Sequence, residues 1–274
     1  MPIKLPTAFR AAAAALALVL SVPATTAAAL PPLDLRYVIY WGGLRVADVA
    51  LRYEEDAPAV YHAELNARTR GLADVLVQYL GDAQTQGLLS GGNGLAPVSY
   101  RADYRQRKAT RSTVVNFDPE TGNVTGIEML KRGAPKQTEV PESLRVDVVD
   151  PLTAIFSLRH QTAAALAGGP QRFSVGVFDG SRRYDLEAQL LGRGTTNLDG
   201  RDHPVVQLRL DMVPLAGFDR DEMDRDRNSY IIAHLSDDER LVPLRLQTHG
   251  AVVATVVRLT QDCSNGVRCP SVTN

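Results

Sequence analysis

The chain holds five histidines, His62, His160, His203, His234 and His249. A zinc site needs imidazoles or thiolates grouped closely enough to converge on one ion, and no pair here stands at His-x-x-x-His spacing. His62 falls on the polar face of an alternating run and His160 lies in a helical segment; each reads as a surface or internally satisfied side chain. A serine nucleophile elbow, Gly-x-Ser-x-Gly, is absent, and Ser90 and Ser157 lack that context. The run Asp219-Arg220-Asp221-Glu222-Met223-Asp224-Arg225-Asp226-Arg227 resembles a calcium loop only in its carboxylates. It lacks the sixth-position glycine and terminal glutamate of an EF-hand, and its arginines compete for the acids, so it reads as a solvated loop. No metal or other cofactor is expected.

Two groups of cations carry more weight. Arg101, Arg105, Arg107, Lys108 and Arg111 cluster around one hairpin. A basic tip of this kind beside an apolar cavity grips a phosphate or carboxylate head group; otherwise it keeps a strand edge soluble. Arg159 sits on an otherwise apolar helix together with Ile155 and Phe156. Paired with a buried carboxylate, it would fix that helix to a sheet. The candidate ligand contacts are therefore Ile155, Phe156 and Arg159 in a cavity, with Arg101 and Arg105 at its rim.

Cys263 and Cys269 enclose Ser-Asn-Gly-Val-Arg. Their even count, close spacing and the Asn265-Gly266 turn favour a disulfide, which for so short a loop contributes about 2 kcal/mol.

The elements that must position these residues are mostly strands. Tyr61, Ala63, Leu65 and Ala67 alternate with His62, Glu64, Asn66 and Arg68. The same period of two recurs at 100–105, 183–190 and 206–212, and more weakly at 33–41, 45–53, 111–117, 172–178, 230–235, 243–249 and 252–260. Such strands bury one face and wet the other. Gly42-Gly43, Asp118–Gly122, Asp179-Gly180 and Asp199-Gly200 supply the turns of tight hairpins. One helix is clear: Asp150 as N-cap, Pro151 in the first turn, apolar residues at helical spacing, and Gly168-Gly169 as its end. A shorter helix is expected from Leu72 to Leu80. About a dozen one-face-buried strands in one sheet curl to cover that face. The expected fold is mainly β, a strongly curved antiparallel sheet forming an incomplete barrel around the 150–167 helix. A single domain is expected over residues 30–274.

The N-terminus gives an address. Lys4 and Arg10 precede the apolar run Ala11–Val22, which is too short to span a bilayer, and Ala27-Ala28-Ala29 offers small residues for a cut after Ala29. This is the pattern of a cleaved secretory signal, which places the mature protein in the periplasm. With Lys4 and Arg10 removed, the 30 basic and 31 acidic residues of the chain become a small acidic excess, which argues against a nucleic-acid partner. No other stretch is long and apolar enough to span a membrane.

The opening strand Tyr37–Gly43 with Ala47, then Gly71-Leu72, Leu95–Tyr100 and Val115–Asp118 form one part of a wider pattern. Asp150-Pro-Leu-Thr-Ala-Ile-Phe-Ser-Leu-Arg159, Val177–Gly180 and Leu235–Leu244 complete it. Together these resemble the DUF3108 family of exported bacterial envelope proteins. The resemblance implies a β-rich envelope protein of no established activity, with a general look similar to lipoprotein-carrier-like open barrels; it brings no catalytic residues. The reading that follows is a non-enzymatic periplasmic protein binding a lipid or other amphipathic ligand in a half-open barrel. The alternatives are a structural module contacting other envelope proteins, and a hydrolase with a site assembled near His62 or His160.

Overall fold

A computed structural model describes residues 30–56, 59–90, 94–220, 229–251, 253–264, 266 and 269. The signal segment 1–29 and most of the acidic run, residues 221–228, lie outside the described residues. The fold is mainly β. Its first strands are β1 (Leu33–Trp41), β2 (Leu44–Asp56), β3 (Val60–Thr69), β4 (Tyr79–Ser90), β5 (Gly94–Gln106), β6 (Ala109–Phe117), β7 (Val124–Lys131) and β8 (Ala134–Pro135). After helix α2 (Pro151–Leu166) come β9 (Arg172–Phe178), β10 (Arg183–Leu198), β11 (Arg201–Ala216), β12 (Tyr230–Ser236), β13 (Pro243–His249) and β14 (Thr255–Asp262). All fourteen strands form one antiparallel sheet in the order β8-β7-β6-β5-β4-β3-β2-β1-β14-β13-β12-β11-β10-β9.

The described chain thus enters in the middle of the sheet and adds hairpins outward to β8. It then crosses through α2 to the far edge and returns until β14 pairs with β1. The crossing segment draws the two edges together. On one side Val124 N donates to Arg145 O at 2.9 Å and Val148 N to Gly122 O at 3.0 Å. On the other, Val149 N donates to Gly176 O and Phe178 N to Val149 O, both at 2.9 Å. The β9–β10 turn also closes on β6: a Cβ on Gly180, whose φ is +95°, would lie 2.5 Å from Thr113 Cγ2. Only glycine meets both demands.

Asp150 caps α2 as expected, accepting from Leu152 N at 2.9 Å and Thr153 N at 3.0 Å. Gly168 and Gly169 end the helix, with Gly169 N donating back to Ala164 O at 2.9 Å. The helix is apolar on more than one side. Leu152 and Phe156 join the core built by β1–β3, β5 and β6, whereas Ala154 and Leu158 pack with Val175, Val177 and Ala188 of β9 and β10. A helix covered on several sides shows no single apolar stripe, which is why one inward face at Ile155 and Phe156 understates its burial.

The expected helix from Leu72 to Leu80 is corrected. Helix α1 is Gly71–Leu76, and Tyr79 already belongs to β4. Gln78 takes φ +49° and turns the chain, and pairing with both β3 and β5 then holds 79–90 as a strand. The inward positions of β4 are Gly81, Ala83, Thr85 and Gly87. They are small because larger groups press on them: a Cβ on Gly87 would lie 2.6 Å from Tyr61 Cε1. This strand therefore carries little apolar alternation in its sequence. β7 and β8 also went unanticipated.

Cys263 and Cys269 are joined by a disulfide. Both are buried, and Cys263 N donates to Asp34 O at 2.8 Å while Arg36 Nη2 donates to Cys269 O at 3.0 Å. The bridge therefore clamps the end of the chain onto β1. Asn265 of the enclosed turn lies outside the described residues.

Candidate functional site

Two constellations of the described residues bear on the sites expected from the sequence. The first is buried where α2 meets β2. His160 Nε2 lies 3.1 Å from Glu55 Oε1 and 3.2 Å from the Tyr53 hydroxyl, which donates to Glu55 Oε1 at 2.6 Å. Burial raises the Glu55 carboxyl, but hydrogen bonds from His160 and Tyr53 outweigh it and hold the group below the usual carboxylate range. Burial also pushes the Tyr53 hydroxyl upward. Arg159 does not meet a carboxylate: its Nε donates to Arg240 O at 2.7 Å and its Nη2 to Pro31 O at 2.9 Å. Its guanidinium stacks 5.9 Å from the Tyr53 ring, and burial lowers its pKa to about 10. The expected carboxylate partner is thus replaced by two chain carbonyls, which fasten the helix to the start of the described chain and to the β12–β13 turn.

Phe156 lies in this packing, 1% exposed, with its ring 4.1 Å from that of Tyr53. Ile155 is half-buried beside the same core. Neither lines any of the five clefts described on the molecule. The partners of His160 are a tyrosine and a glutamate of β2, so the arrangement clamps α2 to β2. A signal for Glu55 was present in the sequence, because it shares the parity of Leu51 and Tyr53 on the inward face of β2. His62, by contrast, stays on the polar face, 3.8 Å from Asp56.

The clamp has a pH signature. Because the folded pKa of Glu55 is lowered, its contribution is present above its unfolded pKa of about 4.3 and is lost as pH falls through the folded value. Glu55→Gln is expected to lower stability by about 1–3 kcal/mol near neutral pH. Urea unfolding measured from pH 7 down to pH 3 should show this gap shrinking below about pH 4. A gap independent of pH would remove the ionised glutamate from the clamp.

The second constellation is a surface cleft of about 340 Å³ at the β5–β6 hairpin. Leu80 and Leu130 supply apolar walls, with Arg105 beside them, whereas Tyr104 and Arg111 take the alternate positions of β5 and β6 and face the other side of the sheet. Arg111 Nη1 donates to the Tyr104 hydroxyl at 3.1 Å and its guanidinium lies 5.6 Å from the ring centre, while Tyr79 stands 6.0 Å from Tyr104. Asp82 and Asp103, paired across β4 and β5, lie on the cleft floor. Partial burial raises the Asp103 carboxyl, but hydrogen bonds from Ser112 and Arg101 hold it low. Asn66 Nδ2 donates to Asp82 at 2.7 Å. Both acids are therefore already engaged.

The structure separates the two rim arginines. Arg101 binds Asp103 at 2.6 Å and is neutralised there. Arg105 is exposed and has no ion-pair partner among the described residues. Ile155, Phe156 and Arg159 belong to the buried region, Arg105 to the cleft. Leu80 and Leu130 were missed because the strands that carry them were missed.

A single curved antiparallel sheet with its edges stitched by a crossing segment defines a β-barrel-like protein. The fold is similar to the crystal structure of a β-barrel-like protein of a domain of unknown function, DUF1849, from Brucella abortus. The TM-score is 0.52 at 11% identity, over 86% of this chain and 98% of that one. The chain belongs to the DUF3108 family, described as a protein of unknown function, whose model matches residues 36–257. Among curated proteins none matches it. No helix among the described residues is long and apolar enough to cross a membrane.

Proposed function

We propose that this chain is a non-enzymatic protein of the periplasm that binds an amphipathic ligand with an anionic head group in the β5–β6 cleft. The observation that carries this reading is the meeting of unpaired Arg105 with Leu80 and Leu130 on the outer face of the sheet, in one cleft of about 340 Å³. Arginine suits phosphate or carboxylate through its planar donors, and the apolar wall suits an acyl chain. Export is supported by the signal-like residues 1–29 and agrees with the disulfide. The ligand site thus moves from the helix face to the outside of the sheet, because the helix face is filled by Tyr53, Tyr61 and Phe156.

Titration with monomeric dihexanoyl phosphatidylglycerol tests the cleft. The variant Arg105→Ala should weaken binding by at least about 10-fold, as expected on losing charge-assisted hydrogen bonds. Unchanged affinity would overturn the assignment. A lipoprotein-carrier-like arrangement, with the ligand inside the barrel and α2 as its wall, is the competing reading. A structural module contacting other envelope proteins is favoured by the densely packed helix–sheet core.

A further inference from the structure

Antiparallel connectivity brings the turns of β1–β2, β3–β4, β5–β6, β7–β8 and β13–β14 to one end of the sheet. Two neighbouring turns there are apolar. The β1–β2 tip reads Trp41-Gly-Gly-Leu44 and the β13–β14 tip reads Gly250-Ala-Val-Val-Ala254. They touch: Gly42 N donates to Ala254 O at 3.0 Å, and a Cβ on Gly42 would stand 3.3 Å from Val253 Cγ1. Trp41 is 54% exposed, Leu44 64%, and Val75 on the adjoining α1 72%. Ala251 and Ala254 are exposed as well. Turns that face only water are built from Gly, Asn, Asp, Ser and Pro, so adjacent exposed apolar tips mark a contact surface.

Cations flank these tips along the same end. Arg105 and Lys108 lie at the β5–β6 turn, and Lys131 and Arg132 at the β7–β8 turn; all four are exposed. None of them has an ion-pair partner among the described residues. The β11–β12 connection leaves this end too, and its sequence 219–227 holds five acids against three arginines. The cationic side is therefore the one that carries the cleft. From β2 to β5 is three strand spacings, about 14 Å.

We infer that this end of the sheet docks on the surface of an anionic phospholipid bilayer. Trp41, Leu44, Val75 and Val253 enter the head-group layer, and Arg105, Lys108, Lys131 and Arg132 meet lipid phosphates. Tryptophan suits that layer because its ring is apolar and its N–H is polar. Unpaired cations spread over two turns match a surface whose anions move laterally to meet them. Small protruding tips fit a deformable surface better than a rigid partner, which would need a complementary groove. The inference rests on the cleft reading for its purpose: docking brings the cleft to the membrane that holds its ligand.

Trp41 is the only tryptophan in the chain, so its fluorescence reports the event directly. With vesicles of equal phosphatidylglycerol and phosphatidylcholine, its emission should move to shorter wavelength and the protein should sediment with the vesicles. Raising salt to about 0.5 M should release it. Leu44→Asp and Ala251→Asp, at exposed positions, should each weaken vesicle binding at least about 10-fold while leaving the thermal midpoint unchanged. Absence of both the shift and co-sedimentation would overturn the docking. If dihexanoyl phosphatidylglycerol still bound in an Arg105-dependent way, the cleft reading would stand without it. Vesicle binding without any binding of that monomeric lipid would leave docking standing and remove the cleft. A dimer in vesicle-free solution that Leu44→Asp dissociates would assign the tips to a second copy and also overturn the proposal.

Discussion

Asp150→Ala is expected to lower the free energy of unfolding by about 3–5 kcal/mol, combining a lost helix cap with buried donors left unmatched. The carboxylate is fully buried and accepts from four donors: Leu152 N, Thr153 N, the Thr153 hydroxyl and the Thr85 hydroxyl at 2.8 Å. Thr85 belongs to β4, so one side chain both starts α2 and ties it to the sheet. Tyr61 of β3 extends the network through Thr153 at 2.7 Å. Burial outweighs these hydrogen bonds and raises the Asp150 carboxyl above its ordinary value. The sign is therefore opposite to that of Glu55: its contribution is fully present below the unfolded pKa of about 3.9 and declines as pH rises through the folded value. Asp150→Asn keeps an oxygen for the cap and should cost about 1–2 kcal/mol. Urea unfolding of both variants at pH 7, with unchanged m-values, checks this order. A loss below about 1 kcal/mol for Asp150→Ala would mean that the network contributes little.

Phe156→Ala is expected to cost about 3–5 kcal/mol, the range for removing a packed aromatic side chain. The ring is almost fully buried and stacked on Tyr53. The stacked pair adds about 0.5–1.5 kcal/mol to the burial of its area. The same substitution bears on function. If α2 were the wall of an open ligand cavity, truncating Phe156 would enlarge the cavity at little cost and alter lipid binding. In the packed arrangement it destabilises the fold and leaves the affinity of the β5–β6 cleft unchanged. Thermal unfolding together with dihexanoyl phosphatidylglycerol titration separates the two. A stable variant with changed lipid affinity would return the ligand to the interior.

The local signals were legible because they act over a few residues. Alternation in 61–67, 100–105, 183–190 and 206–212 marks strands, as one face of each meets the core. Asp150-Pro151 and Gly168-Gly169 delimit α2, since cap chemistry is encoded by adjacent residues. The spacing of Cys263 and Cys269 marked the disulfide for the same reason.

What only the tertiary structure decided involves partners distant in sequence. β4 is a strand although 72–80 has a helical stripe, because β3 and β5 supply hydrogen bonds that its own residues do not announce. Arg159 binds carbonyls from residues 31 and 240, a choice no spacing within the helix reveals. Arg101 and Arg105 look equivalent in the sequence. Asp103 pairs with the first and leaves the second without an ion-pair partner among the described residues. The sequence by itself determined the strands that alternate clearly, the helix with its caps and the closely spaced disulfide. The folded sheet decided which cations remain available and where apolar groups stay exposed, since both depend on neighbours that only long-range pairing brings together.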